Sequence, residues 1–311
     1  MNKLFYYSFD WDDNLLSMPT EIILLNSYGE EIGINTKDFS KHRNDVGVRP
    51  FVYNGHTIVG YPIKNDNIDL DSAFRNFSDD YDPEVFLRDT IKALDQKSYA
   101  PAWSDFIECL LSGSIFAIIT ARGHESPIIR KAVEYIVDSL TMEQKQQMYS
   151  KLLKYIQLFN SDKTNYDRYP TGVFTEMPLV DKYLNSCMFV GVSSAGRGGQ
   201  SIKVEEAKGE VLLAFKKRIN TFAERVGMKA VVGFSDDDLK NVKHINDLIG
   251  NMDHEEFPHI IEFIVKNTNN PMDIITTIAK KFNGDDVNVE DCLYKGKKKY
   301  NKTINWDGDE N

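Results

Sequence analysis

Short apolar runs alternate with longer amphipathic stretches along much of the chain. Uninterrupted runs of aliphatic and aromatic residues predict strands buried on both faces, whereas apolar residues at every third or fourth position predict helices packed on one side. The predicted strands are 4–9, 114–119, 188–192, 229–234 and 260–265. The predicted helices are 83–95, 101–111, 125–140, 142–159 and 204–226.

Residues that start and stop helices fall at the ends of these stretches. Pro101 opens one predicted helix and Gly113 follows its end, because proline fits the first helical turn and glycine adopts the left-handed conformation that ends many helices. Thr141 and Gln144 are spaced as a capping box before another. Local signals and periodicity therefore agree on where the helices lie.

Strands that alternate with helices predict an α/β fold, which we expect to be a Rossmann-like three-layer sandwich with a central, mostly parallel sheet and inserted flap and cap elements. Alternation on either side of Tyr28 and Gly29 predicts the flap hairpin. The predicted organisation is a core of 1–16 and 100–290 with a helical insert at about 125–186, a flap hairpin and cap-like insertion at 17–99, and a mobile tail at 291–311.

Polar residues directly follow three of the predicted strands. Asp10 and Asp12 follow the first, Thr120 follows the second, and Asp236 and Asp237 follow the fourth. The carboxyl ends of parallel strands share one edge of a sheet, where ligands bind in α/β folds. Asp10 and Asp12 would point to one side if the strand continued through them, and close carboxylates repel unless a cation or proton lies between them. The pattern predicts a Mg²⁺ site near a phosphate-binding hydroxyl.

Three of these segments resemble motifs of the haloacid dehalogenase superfamily. FDWDDNLL is similar to the first motif, although Asn14 stands where that family usually has threonine or valine; SIFAIITARG is similar to the second and VVGFSDDDLKNV to the fourth. The third motif is a lysine at the start of a helix, for which Lys208 and Lys203 are both candidates. We favour Lys208, because Lys203 lies in a glycine-rich segment where fixing an ammonium would cost more conformational entropy.

The resemblance implies a Mg²⁺-dependent phosphatase that hydrolyses a small phosphorylated substrate. Asp10 would attack phosphorus to form an aspartyl-phosphate, and Asp12 would act as general acid and then general base. Thr120 and Lys208 would hold the phosphoryl oxygens. The implied metal ligands are the Asp10 carboxylate, the Asp12 backbone carbonyl and Asp236, with Asp237 acting through water.

Other interpretations of the same residues stay open. A phosphatase acting on nucleotides or 3′-phosphorylated nucleic-acid ends would share these motifs, and Asn241 after the acidic pair is similar to the fourth motif of such enzymes. A non-catalytic metal-binding scaffold could also keep the fold. Arg122, just past the second motif, would either contact substrate phosphate or be an ordinary loop residue.

Net charge, cysteine content and the length of apolar runs limit the binding partners and the compartment that we expect. The net charge of -10 repels polyanions at long range, so nucleic acid is disfavoured as a partner without being excluded. The three cysteines show no metal-site or disulfide spacing, which favours a reducing compartment. There is no stretch of membrane-spanning length and no signal-peptide pattern. We therefore expect a cytoplasmic protein with no membrane partner.

Overall fold

The structure, a computed structural model, describes residues 3–159, 176–194, 203–251, 256–269 and 276–278. The strands are β1 (Lys3–Phe9), β2 (Glu21–Asn26), β3 (Glu31–Asn35), β4 (Phe51–Tyr53), β5 (His56–Gly60), β6 (Ile63–Lys64), β7 (Asn67–Ile68), β8 (Phe116–Thr120), β9 (Met188–Gly191), β10 (Lys229–Asp236), β11 (Ile260–Asn267) and β12 (Thr276–Ile278). The helices are α1 (Thr36–His42), α2 (Leu70–Ala73), α3 (Val85–Asp95), α4 (Trp103–Ser112), α5 (Ser126–Ser139), α6 (Met142–Phe159), α7 (Glu176–Ser186), α8 (Val204–Arg225) and α9 (Leu239–Gly250). The predicted tail at 291–311 lies outside the described residues.

A six-stranded sheet forms the centre of the fold, in the order β12-β11-β10-β1-β8-β9. Neighbouring strands from β11 to β9 run parallel, and only the β11–β12 pair is antiparallel. Helices α4, α5, α8 and α9 pack against these strands. The predicted α/β class with a mostly parallel central sheet is confirmed, and each predicted strand is present.

The middle of the sheet is buried because helices cover it. Every residue of β8 is buried, as its uninterrupted FAIIT sequence predicts. The long helix α8 buries Leu212, Phe215 and Ile219, which recur every three or four residues on one face. Burying each side chain of this size contributes on the order of 1.5–3 kcal/mol, so this face holds α8 firmly on the sheet.

Two of the strands that lead to predicted site residues, β8 and β10, end later than predicted. β8 begins at Phe116 and includes Thr120, and β10 extends to Asp236, so both strands run past the predicted ends. β8 starts later because Ser114 lies in the turn that closes α4, where its N–H donates to the Cys109 carbonyl. Thr120 and Asp236 are thus the last residues of their strands and take their directions from the sheet.

The helices confirm the sequence prediction with small shifts of their ends. α4 begins at Trp103, later than predicted, and ends at Ser112; Gly113 follows it with a left-handed φ of 68°. In the capping box, the Gln144 N–H donates to the Thr141 hydroxyl and the Thr141 N–H donates to the Gln144 side chain. The predicted helical insert contains α5, α6 and α7; residues 160–175 lie outside the described part. None of the helices in the described part combines the length and the apolar character that crossing a membrane requires.

Residues 17–99 contain a second, smaller sheet in the order β3-β2-β5-β4. β2 and β3 pair in antiparallel fashion on either side of Tyr28 and Gly29, which confirms the predicted hairpin. The two ends of this insertion meet, because the Ser17 N–H donates to the Ser98 carbonyl at 2.8 Å. The insertion has its own apolar core, formed by Ile22, Leu24, Ile34, Val46 and Ile58.

Candidate functional site

Three neighbouring strands of the central sheet end at one edge. In the register of the sheet, Phe9 of β1 pairs with Ser235 of β10 on one side and with Ile118 of β8 on the other. Thr120 lies two residues after Ile118. The Asp10 N–H continues this pairing by donating to the Ser235 carbonyl at 3.0 Å. Asp10, Thr120 and Asp236 therefore lie at the same edge, as the sequence predicts.

A buried lysine links two of the carboxylates at this edge. Lys208 Nζ donates to Asp10 Oδ1 and to Asp236 Oδ2, each at 2.7 Å. The Lys208 side chain is 1% exposed, whereas that of Lys203 is 71% exposed. The prediction that Lys208, rather than Lys203, lies beside Asp10 is confirmed. We call Lys208, Asp10, Asp236 and Asp237 the lysine cluster.

Lys208 reaches the strand ends because it lies on the buried face of α8. Lys208, Leu212, Phe215 and Ile219 follow one another at intervals of four, three and four residues, and all are buried. A buried ammonium is unfavourable unless it is paired and hydrogen-bonded. Here the carboxylates of Asp10, directly after β1, and of Asp236, at the end of β10, satisfy it. The helical periodicity that buries the apolar residues thus also aims the lysine.

The lysine cluster has too little positive charge of its own. Burial raises the pKa of the Asp10 carboxyl well above its ordinary value; Lys208 opposes this shift, and Asp236 and Asp237 add to it. Burial, and then the charge of Asp236, raise the pKa of Asp237 to about 7. Burial alone would lower the pKa of Lys208, but Asp10 and Asp236 together raise it above the ordinary lysine value. Three carboxylates against one ammonium leave two negative charges uncompensated when all are ionised.

This donor set fits a divalent cation. Carboxylate oxygens of Asp10, Asp236 and Asp237 lie within 4.8 Å of one another. Mg²⁺ prefers oxygen ligands, and its two positive charges match the deficit of the cluster. The Asp12 carboxylate is not part of this group, and the predicted role of its backbone carbonyl stays a prediction.

Asp12 has a different partner from Asp10. We expected both carboxylates on one side of a continuing strand, but β1 ends at Phe9 and the chain turns at Asp13, which has a φ of 53°. Arg122 Nε and Nη2 donate to the two Asp12 carboxylate oxygens at 2.7 and 2.6 Å. The expectation based on a continuing strand is wrong, because the strand stops before either aspartate.

Arg122 is enclosed by side chains of the insertion. Its Nη2 also donates to the Thr20 hydroxyl at 2.8 Å. Its guanidinium carbon lies 4.6 Å from the ring centroid of Phe77 and 5.1 Å from that of Phe86. The faces of aromatic rings carry partial negative charge and therefore attract a cation at these distances. We call Arg122, Asp12, Thr20, Phe77 and Phe86 the arginine cluster.

Two buried asparagines brace the lysine cluster. The side-chain amide of Asn241, on α9, donates to both Asp236 oxygens at 3.1 Å. Asn14, which departs from the family's first motif, donates to the Asp10 carbonyl at 2.9 Å and to Ser235 Oγ at 3.1 Å, and accepts from Thr268 Oγ1 at 2.9 Å. Asn14 therefore joins the ends of β1, β10 and β11, a role that its place in a short motif does not reveal.

The loop after β8 passes so close to β9 that only glycine fits at position 191. A Cβ on Gly191 would lie 2.3 Å from the His124 carbonyl oxygen and 2.7 Å from the Arg122 carbonyl oxygen.

His124 is fully buried, and neither ring nitrogen has a hydrogen-bond partner within the described residues. Burial, and then the charge of Arg122, lower the pKa of His124 to about 3, so the ring is neutral at physiological pH.

Thr120 keeps a hydrogen-bond donor at this edge of the sheet. It is fully buried, and its hydroxyl oxygen accepts from the Arg122 N–H at 3.3 Å. That contact uses a lone pair of the hydroxyl and leaves its hydrogen for another acceptor. The position agrees with the predicted contact to a phosphoryl oxygen, which stays a prediction.

Comparisons of this chain with protein-family models, with curated proteins and with solved structures found no match. The site combines a buried ammonium between two carboxylates with a donor set suited to a divalent cation. A threonine hydroxyl lies on the adjacent strand, and a separate aspartate is paired with an arginine.

Proposed function

We propose that the protein is a Mg²⁺-dependent phosphohydrolase that acts on a phosphomonoester and resembles enzymes of the haloacid dehalogenase superfamily, with a Rossmann-like three-layer core. The observation that carries this proposal is the position of Lys208, whose ammonium joins Asp10 and Asp236 at 2.7 Å in a buried carboxylate cluster. Ligands of parallel α/β sheets bind at this edge, and a buried ammonium there favours an anion with dispersed negative charge, such as a phosphoryl group.

Asp10 is the nucleophile in this proposal. One of its carboxylate oxygens attacks phosphorus, and the bond from phosphorus to the leaving oxygen breaks with its electron pair on that oxygen. Asp12 donates a proton to the leaving oxygen. Lys208 holds Asp10 in place and attracts the phosphoryl oxygens, and the Thr120 hydroxyl donates to one of them.

The second half-reaction removes the phosphoryl group from Asp10. Asp12 takes a proton from water as the water oxygen attacks phosphorus, the bond from phosphorus to Asp10 breaks, and inorganic phosphate leaves. Asp10, Asp236 and Asp237 would hold Mg²⁺, which when bound supplies positive charge that offsets the negative charge of the carboxylates and the phosphoryl group. Asp10 and Asp236 also hold the Lys208 ammonium beside the position of the phosphoryl group, where negative charge builds up during the reaction.

Asp10→Asn tests this assignment, because an amide cannot act as the nucleophile. We expect the variant to lose about 10⁴- to 10⁶-fold in turnover of an aryl phosphate with Mg²⁺, and to stay folded by circular dichroism. Asp95→Asn, on the exposed end of α3, is the matched control and should keep wild-type turnover. Turnover of Asp10→Asn within tenfold of the wild type would show that Asp10 is not the nucleophile.

A wild-type protein that binds Mg²⁺ but hydrolyses no substrate would favour the metal-binding scaffold instead. The substrate panel should therefore combine phosphorylated metabolites, nucleotides and 3′- or 5′-phosphorylated oligonucleotides. A preference for 3′-phosphorylated ends would favour the repair-type alternative, for which the contact between Asn241 and Asp236 is compatible but not specific.

A further inference from the structure

The pair formed by Arg122 and Asp12 has the geometry of a fixed support. Two separate nitrogens of one guanidinium bond the two oxygens of one carboxylate, at 2.7 and 2.6 Å. Such bidentate pairs set the orientation of the carboxylate as well as its position. Arg122 is 1% exposed and the Asp12 side chain is 17% exposed, so only the carboxylate side of the pair is open to solvent.

The insertion keeps Arg122 in this orientation. Thr20 accepts from Arg122 Nη2 and donates to Asp89 Oδ2 at 2.6 Å, so its hydroxyl is itself fixed. Phe77 and Phe86 cover the guanidinium. The backbone of the insertion also holds the loop that carries Arg122, because the Gly123 N–H donates to the Phe77 carbonyl at 2.7 Å.

Two of the three guanidinium nitrogens of Arg122 have hydrogen-bond partners. Its Nε and Nη2 are engaged by Asp12 and Thr20, and its side chain is buried. The Nη1 of Arg122 has no hydrogen-bond partner among the described residues and is buried with the rest of the guanidinium. An arginine fixed by Asp12 and Thr20 in this way is not an ordinary loop residue. The phosphoryl-side cation of the site is Lys208, in the separate lysine cluster.

We propose that Arg122 is a positioning residue that holds the Asp12 carboxylate in place to take a proton from water in the second half-reaction. This inference rests on the proposed phosphohydrolase function. Of the two proton transfers assigned to Asp12, the second requires a carboxylate, which is the form that a guanidinium pairs with. Arg122 acts through Asp12 and touches neither substrate nor phosphoryl group.

Breaking the pair between Arg122 and Asp12 should slow the second half-reaction and leave the rate of the first nearly unchanged. Arg122→Met leaves Asp12 in the chain but without its support, so hydrolysis of the aspartyl-phosphate should slow by about 100-fold, the scale of lost general base catalysis or of a misplaced group. Transfer from 2,4-dinitrophenyl phosphate to Asp10 needs no proton donor, because dinitrophenolate is a good leaving group. That first step should change by less than about threefold.

Rapid mixing of the full chain with 2,4-dinitrophenyl phosphate and Mg²⁺ measures both steps. For Arg122→Met we expect a burst of one dinitrophenolate per protein, then a steady rate about 100-fold below wild type, with kcat/KM within about threefold of wild type. Inhibition by inorganic phosphate should be unchanged. Arg88→Met removes a largely exposed arginine of α3 and should behave as the wild type does.

Three results would overturn the inference. Loss of kcat and kcat/KM together without a burst would mean a structural role only. Weaker inhibition by inorganic phosphate with a lower kcat/KM would mean that Arg122 contacts phosphate. A wild-type rate equal to that of Asp10→Asn would overturn the proposed function and this inference together, whereas the first two results leave the proposed function standing.

Two milder variants keep the test decisive if Arg122→Met fails to fold, as judged by circular dichroism. Arg122→Lys keeps the charge but cannot make a bidentate pair, and Thr20→Val removes one support of the guanidinium. Both should lower kcat by about three- to tenfold and leave kcat/KM within about twofold. An equal loss of kcat and kcat/KM in both variants would overturn the inference in that case.

Discussion

The lysine cluster and the arginine cluster pair aspartates only two residues apart, yet different parts of the chain build them. The lysine cluster draws on β1, β10 and α8, which are all elements of the central fold. The arginine cluster joins the loop after β8 to Thr20, Phe77 and Phe86 of the insertion. The position of Asp10 thus depends on the core alone, whereas that of Asp12 also depends on the insertion.

The two clusters also differ in charge balance. In the lysine cluster, burial and mutual repulsion raise the pKa values of Asp10 and Asp237, so the cluster favours an added cation. In the arginine cluster, one guanidinium meets one carboxylate and the charges balance. The first cluster should respond strongly to a metal ion, and the second should respond mainly to changes in packing.

Among the tests that compare the two clusters, the largest effect should come from the lysine. Lys208→Met removes the only ammonium that contacts Asp10 among the described residues, so we expect kcat/KM for an aryl phosphate to fall by about 10²- to 10³-fold, as for loss of one electrostatic contact in a transition state. Lys203→Met removes an exposed lysine five residues earlier and is the matched control. Equal losses in both variants would break the distinction between these lysines.

A metal ion should act on the lysine cluster and leave the arginine cluster unaffected. Mg²⁺ at about 100 times its dissociation constant should stabilise the folded protein by about 2.7 kcal/mol, measured as a rise in Tm. Asp237→Asn keeps the shape of the side chain but removes one charge, so this rise should shrink. Arg88→Met should leave it unchanged. A wild-type Tm that ignores millimolar-range Mg²⁺ would argue against the metal site.

His124, beside the arginine cluster, should make stability depend on pH. Its pKa is about 3 in the folded protein and about 6.5 unfolded, so between these values the unfolded chain binds the extra proton. Its contribution to stability is thus present above about pH 6.5 and is lost as the pH falls toward 3. His124→Leu removes this loss.

Chemical denaturation at two pH values measures the effect of His124→Leu. Relative to the wild type, the variant should gain about 2 kcal/mol in free energy of unfolding between pH 7.5 and pH 5. His56→Leu replaces an exposed histidine of β5 and is the control for loss of an imidazole. A gain that is the same for both variants would show that the buried ring does not carry the effect.

The smallest effect should come from the outer contacts of the insertion. Arg43, just after α1, reaches Asp238 at 3.3 Å, and both side chains are partly exposed at 47% and 35%. Exposed pairs contribute little, so Arg43→Met should change the free energy of unfolding by less than about 1 kcal/mol. A loss above about 2 kcal/mol in urea denaturation would mean that this rim contact holds the insertion in place.

Sequence alone predicts the lysine cluster because each member follows a strong local signal. Asp10 and Asp236 end apolar strands, and Lys208 shares the buried face of an amphipathic helix. Parallel pairing then brings the strand ends together without further information. The helix α9 is absent from the predicted elements although its sequence carries the same signal: Val242, Ile245 and Ile249 recur every three or four positions and are buried.

The arginine cluster could not be predicted in this way. Arg122 and Thr20 are 102 positions apart, and neither belongs to a periodic element that would fix its direction. The turn at Asp13 directs Asp12 away from the path of β1, and a short acidic motif contains no sign of that turn. Contacts between a loop and an inserted sheet depend on how the two pack, which sequence patterns of one chain do not specify.

The joined ends of the insertion have a consequence for how such a protein can change over time. Ser17 and Ser98 are linked by one backbone hydrogen bond, and the Ala100 N–H donates to the Leu15 carbonyl at 3.0 Å. The chain therefore leaves and re-enters the core at adjacent points. A lineage could exchange the intervening module as a unit, keeping Asp10, the proposed nucleophile, and its lysine while acquiring new supports for Asp12. In such a lineage, the residues of the lysine cluster would stay constant with the core, and the residues that surround Arg122 would change with the module.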